Sequence, residues 1–90
     1  MPQAIVDPEE LRQFARVLKR FNQELREQTA VLAHRLAALG STWRDQEHQK
    51  FVESFEHQMA ALAQFQAAID EYVPFLLRKA AHIDEYLQSS

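Results

Sequence analysis

Two long runs of helical apolar spacing flank one short break, Gly40-Ser41-Thr42-Trp43-Arg44-Asp45, near the middle of a 90-residue chain. The break holds the only Gly and the only Trp. A Gly at the end of a helical pattern is a stop signal. Two runs of helical period on either side of one stop fold as two helices and a reversal. Trp43 stands at that reversal.

The first run opens on a strong start signal. Asp7 suits the N-cap, Pro8 the first helical position and Glu10 the third, a capping box in Asp form. Val6 and Leu11 are spaced for a hydrophobic staple. Leu recurs every seventh residue at Leu11, Leu18, Leu25, Leu32 and Leu39, with Phe14 and Phe21 as companions. The spacing predicts a helix over about 8–39 and a turn over 40–43.

The second run is expected to start near Trp43, capped by Ser41 or Thr42. Its row is Phe55, Leu62, Ile69, Leu76 and Ile83, with Phe51, Phe65, Tyr72 and Tyr86 in a companion row. A third row, Val52, Met59, Gln66, Val73, Ala80 and Leu87, also leans apolar. Sevenfold repeats on both runs predict long helices crossing at a shallow left-handed angle. Pro74 cannot donate a backbone bond to Asp70 and is expected to kink or break this helix, ending its first part near 73. Mirrored about the turn, the first helix runs out near Pro74. Residues 75–88, with Leu76, Ile83 and Leu87, are therefore expected to form a helical arm beyond the open end.

The fold class that follows is all-α: one domain over 1–90, an antiparallel hairpin. The apolar stripes are wider than a two-helix seam needs. Pairing with a second copy would give a four-helix bundle. The expected dimer interface is Leu11, Phe14, Leu18, Phe21, Leu25, Leu32, Phe51, Phe55, Leu62, Phe65 and Ile69. The same phenylalanines are read as core rather than as a ligand cage, because they keep helical spacing.

Charge narrows the function. Ten basic and 13 acidic residues leave a net charge of −3, and neither half is strongly basic, so a nucleic-acid partner is not expected. Arg12, Arg16, Lys19, Arg20 and Arg26 read as a solvated face balanced by Glu9, Glu24 and Glu27. Without Cys, neither disulfides nor Cys-bound zinc are available. The histidines, His34, His48, His57 and His82, offer only Asp45-x-x-His48 as a metal-like spacing, and mostly fall off the apolar rows. There is no phosphate loop and no nucleophile elbow. The expectation is no enzyme activity, no cofactor and no metal. Residues 1–10 lack the basic start and apolar run of a cleavable secretory signal, and 57–69 is too short and Gln-rich to span a bilayer. A soluble chain is expected, leaving the cell, if it does, by a leaderless route.

These residues together resemble a known family. An acid-capped first helix (Val6-Asp7-Pro8-Glu9-Glu10-Leu11), a Leu/Ala-rich run (Leu32 to Leu39), Trp43 and an aromatic second helix (Phe51, Phe55) resemble the WXG (ESAT-like) family over nearly the whole chain. The resemblance implies a helical hairpin that dimerises with itself or with a related WXG protein. It implies export without a cleavable signal by a type VII (ESX) system, and recognition by that system's ATPase through the Trp turn and a Tyr-x-x-x-Asp/Glu tail motif. Gly40, Trp43 and Asp45 would be the recognition turn. Asp45 stands where the family has Gly, and Tyr72 and Tyr86 are followed four residues on by Leu76 and Ser90. Two other functions fit the same residues: an intracellular helical adaptor or chaperone-like dimerisation module, and a metal-binding bundle.

Overall fold

A computed structural model describes residues 6–89. They form two helices, α1 (Pro8–Leu39) and α2 (Gln46–Ser89), packed antiparallel as a hairpin. At about 1.5 Å per residue, the 44 residues of α2 account for the full 68 Å length of the molecule.

Asp7 starts α1. Its backbone is extended, its side chain accepts from the Glu9 N–H at 2.9 Å, and its carbonyl accepts from Glu10 and Leu11. The capping bond thus goes to the second helical N–H rather than the third. Both positions are open donors at a helix start.

The end of α1 differs from the expected glycine stop. Gly40 has φ −62° and ψ −13°, ordinary right-handed values, and no described residue has positive φ. The helix instead tightens, with bonds from Gly40, Ser41 and Thr42 to the carbonyls three residues back. Ser41 and Thr42 were expected to cap α2. Their hydroxyls turn back to the Ala38 and Leu39 carbonyls and satisfy the end of α1. Asp45 takes the capping role: its carboxylate accepts from the His48 N–H at 2.9 Å, and α2 begins at Gln46 rather than near Trp43.

The seam between the helices is a regular four-three alternation. Leu11, Ala15, Leu18, Asn22, Leu25, Thr29 and Leu36 of α1 are buried or half-buried. They meet Val52, Phe55, Met59, Leu62, Gln66, Ile69, Val73, Leu76, Ala80 and Ile83 of α2. The row accompanying the leucines is therefore Ala15, Asn22, Thr29 and Leu36, not Phe14 and Phe21, which stay exposed together with Phe51 and Phe65. In the single hairpin these four rings are not core. Only Phe55 of the expected aromatic core turns into the seam, half-buried.

The expected break at Pro74 and the free arm beyond it are not found. α2 is helical from Gln46 to Ser89, with Pro74 inside it. Proline removes one backbone bond, while Val73, Leu76 and Ala80 on either side stay in the seam. Nor do residues 75–88 project past α1 as a free arm. Ala80 is fully buried, and Asp84 pairs with Arg12 near the start of α1. The long-armed pairs Arg12–Asp84 and Arg26–Asp70 are centred on His48, and the contacts Phe21–Phe65 and Asn22–Asp70 on Trp43 and Gln46. The mirror point thus lies a few residues after Gly40, because residues 40–45 carry the chain beyond α1 before α2 starts.

A hairpin this thin buries little. The radius of gyration is 20.3 Å, against about 12 Å for a compact domain of this length. The accessible surface is 7230 Å² for 10.5 kDa, against roughly 5,400 Å² for a compact monomer.

Candidate functional site

The two flanks of the seam carry different chemistry. Along one flank, Arg26 reaches Asp70 at 2.5 Å, and Arg12 pairs with Asp84 and lies 3.6 Å from Glu9. The hydrogen bond that Arg12 donates to the Asp84 carboxylate raises the guanidinium pKa above its ordinary value. Arg16 also approaches Glu9, at 3.7 Å. Two members of the basic face are thus tied across the hairpin rather than simply solvated.

The opposite flank is aromatic. Phe21 and Phe65 meet edge-on across the seam with ring centres 6.5 Å apart. Sevenfold spacing puts Phe14 on the Phe21 row, and Phe51, Tyr72 and Tyr86 on the Phe65 row. All six rings are exposed; Phe14, for example, is 55% exposed. Val17, Val31 and Phe75, also exposed, add to the apolar surface outside the seam. A monomer rarely leaves this much contiguous apolar surface uncovered unless it is an interaction site.

The structure divides the expected interface residues into two groups. Leu11, Leu18, Leu25, Phe55, Leu62 and Ile69 face the partner helix within the hairpin, as do Leu76 and Ile83. Phe14, Phe21, Leu32, Phe51, Phe65 and Leu87 are exposed.

The turn forms a second feature. Trp43 is half-buried, edge-on to His48 at 4.9 Å and 5.7 Å from Phe51, which in turn lies 6.1 Å from Phe55. The result is an aromatic ladder down the first turns of α2. A Cβ built on Gly40 would stand in ordinary contact with the His48 ring at 3.8 Å and tightly against the Ala37 carbonyl at 3.3 Å. His48 Nε2 is buried with no hydrogen-bond partner. Arg44 donates to the Gly40 carbonyl at 3.2 Å and closes the turn.

Sequence reasoning missed His48 as the support of Trp43. The signal was there in Asp45-x-x-His48, whose spacing is metal-like. Here it is a helix cap, with the carboxylate on the backbone of His48 rather than beside its ring. Asn22 was missed as well: a polar residue on the seam row, only 3% exposed. Among the described residues no group of three His, Asp or Glu is placed to hold a metal ion. Among those residues no helix is long and apolar enough to cross a membrane.

Searches of curated proteins and of solved structures gave no match. The family described as "WXG100: Proteins of 100 residues with WXG" matches residues 3–85. That span contains the capped start, both helices of the seam, the aromatic flank and the Trp43 turn. The chain belongs to the WXG100 family, whose members are non-enzymatic, typically dimeric proteins secreted by type VII systems.

Proposed function

We propose that this protein acts through protein–protein contact as a homodimer exported by a type VII system, its two hairpins joined along their aromatic flanks into a four-helix bundle. The observation that carries the reading is the row of exposed rings, Phe14, Phe21, Phe65 and Tyr72, on one side of a hairpin with almost no core of its own. The surface in excess of a compact monomer is of the order that a standard interface buries, about 1,200–2,000 Å². The ion-paired flank is satisfied internally and stays outside the interface.

In this reading the Trp43 turn is the element offered to the secretion ATPase. Trp is favoured at recognition hot spots, and its half-burial between His48 and Phe51 holds it in one orientation. Asp45 does by side-chain capping what a glycine at that place does by backbone freedom: it lets the chain enter α2 three residues after Trp43.

The test is to express the protein in its own cell with and without a working type VII ATPase. The protein reaches the culture supernatant only when the ATPase works. If it stays inside the cell in both strains, it is an intracellular helical adaptor. If a related WXG protein co-purifies at equal stoichiometry in place of a second copy, the homodimer is wrong.

A further inference from the structure

We propose that Asn22, with Asp70 and Arg26, is a register lock that fixes how far α2 slides along α1. Asn22 sits in the seam between Leu18 and Leu25 and is 3% exposed. Its side-chain amide donates to the Gln66 carbonyl at 3.2 Å and to the Asp70 carboxylate at 2.9 Å. The other Asp70 oxygen accepts from Arg26 at 2.5 Å. One carboxylate thus joins a buried amide on one side to an exposed guanidinium on the other.

The lock answers a weakness in the rest of the seam. Leu on α1 and large apolar residues on α2 both repeat every seven residues, so a slide of one heptad, about 10.5 Å, again sets apolar against apolar. Repetitive seams specify register poorly, and a single buried polar residue is the usual remedy. A backbone carbonyl like that of Gln66 recurs in every heptad, but such a slide would take Asn22 away from the Asp70 carboxylate and set Ala63 or Leu77 in its place, so the bond to Asp70 is the one that reads register.

The charges repeat the same message. Arg12 and Arg26 are two heptads apart, as are Asp70 and Asp84, with Lys19 and Leu77 in the heptads between. A slide of one heptad in either direction breaks both arginine pairs and leaves Lys19 as the one base facing an aspartate. The correct register also keeps Phe21 beside Phe65. A one-heptad slide would set Phe21 beside Gln58 or Tyr72 and disorder the aromatic flank.

The layer is held at a cost. Asn22 Oδ1 and Gln66 Nε2 are buried without partners. An apolar residue at position 22 would pack better, so the polar layer is retained for specificity rather than stability.

The chain has no Cys, so engineered pairs report register directly. Thr29 and Leu62, both half-buried, line the same notch between the helices and report the observed register. Thr29 paired with Phe55 reports a slide of one heptad. Each pair is changed to cysteines, oxidised mildly and read on denaturing gels. With Asn22 present, the T29C/F55C pair closes at least about tenfold less than T29C/L62C. Adding Asn22→Leu raises the melting temperature while bringing the two yields within about threefold. The proposal is overturned if Asn22→Leu leaves cross-linking confined to T29C/L62C, if that variant fails to fold or melts lower, or if both pairs close equally with Asn22 in place.

Discussion

Phe21 and Phe65 meet edge-on across the hairpin, yet 45% and 47% of their surfaces remain open. The pair thus joins the two helices edge to face and leaves nearly half of each ring for something else. Replacing Phe21 with Ser removes both. Loss of a central aromatic anchor costs on the order of 2–4 kcal/mol of binding, so Phe21→Ser is expected to weaken self-association by about 30- to 1,000-fold. Sedimentation equilibrium across a concentration series measures it. Phe75→Ser, farther out on the same side, is expected to weaken association less.

Asp45 caps α2 with a single bond to the His48 N–H. Asp45→Ala is expected to lose about 1 kcal/mol of stability, whereas Asp45→Gly loses only a few tenths. Denaturant melts of the two variants side by side give the comparison. Equal losses would mean that the cap bond contributes nothing.

Pro74 lies inside a continuous helix, where proline is about 3 kcal/mol less favourable than alanine. Pro74→Ala is expected to stabilise the protein by about 1–3 kcal/mol, the lower end applying if the surrounding helix has already adjusted. An unchanged or lower denaturation midpoint would show that the neighbouring packing depends on the proline ring.

Trp43 packs on His48 and Phe51 at the tip of the hairpin, outside the seam. Trp43→Ala is therefore expected to keep the helical circular dichroism and the dimer while reducing export. Secreted and retained protein are compared on one blot. Full export by the variant would reduce Trp43 to a structural cap.

The sequence made both helices, the capped start and the site of reversal legible, because period, Asp7-Pro8 and the lone Gly each act locally. Three features were not legible. Which apolar rows meet depends on which helix faces which, so Phe14 and Phe21 were placed in a seam that belongs to Ala15 and Asn22. The cap of α2 moved from Ser41 or Thr42 to Asp45 because those hydroxyls found carbonyls at the end of α1 first. The free arm after Pro74 vanished because the turn is longer than the glycine alone suggests, as Arg12–Asp84 shows. Of the functional site, Trp43 could be read from its singularity. The role of His48 could not, because an i,i+3 Asp–His spacing serves a metal and a helix cap equally well.

The proposed assembly pairs two hairpins along the aromatic flank. Sedimentation velocity on the purified protein at micromolar concentration tests it most directly. The expected result is a single species of twice 10.5 kDa. A stable, cooperatively folded species of 10.5 kDa, with its rings left in water, would contradict it.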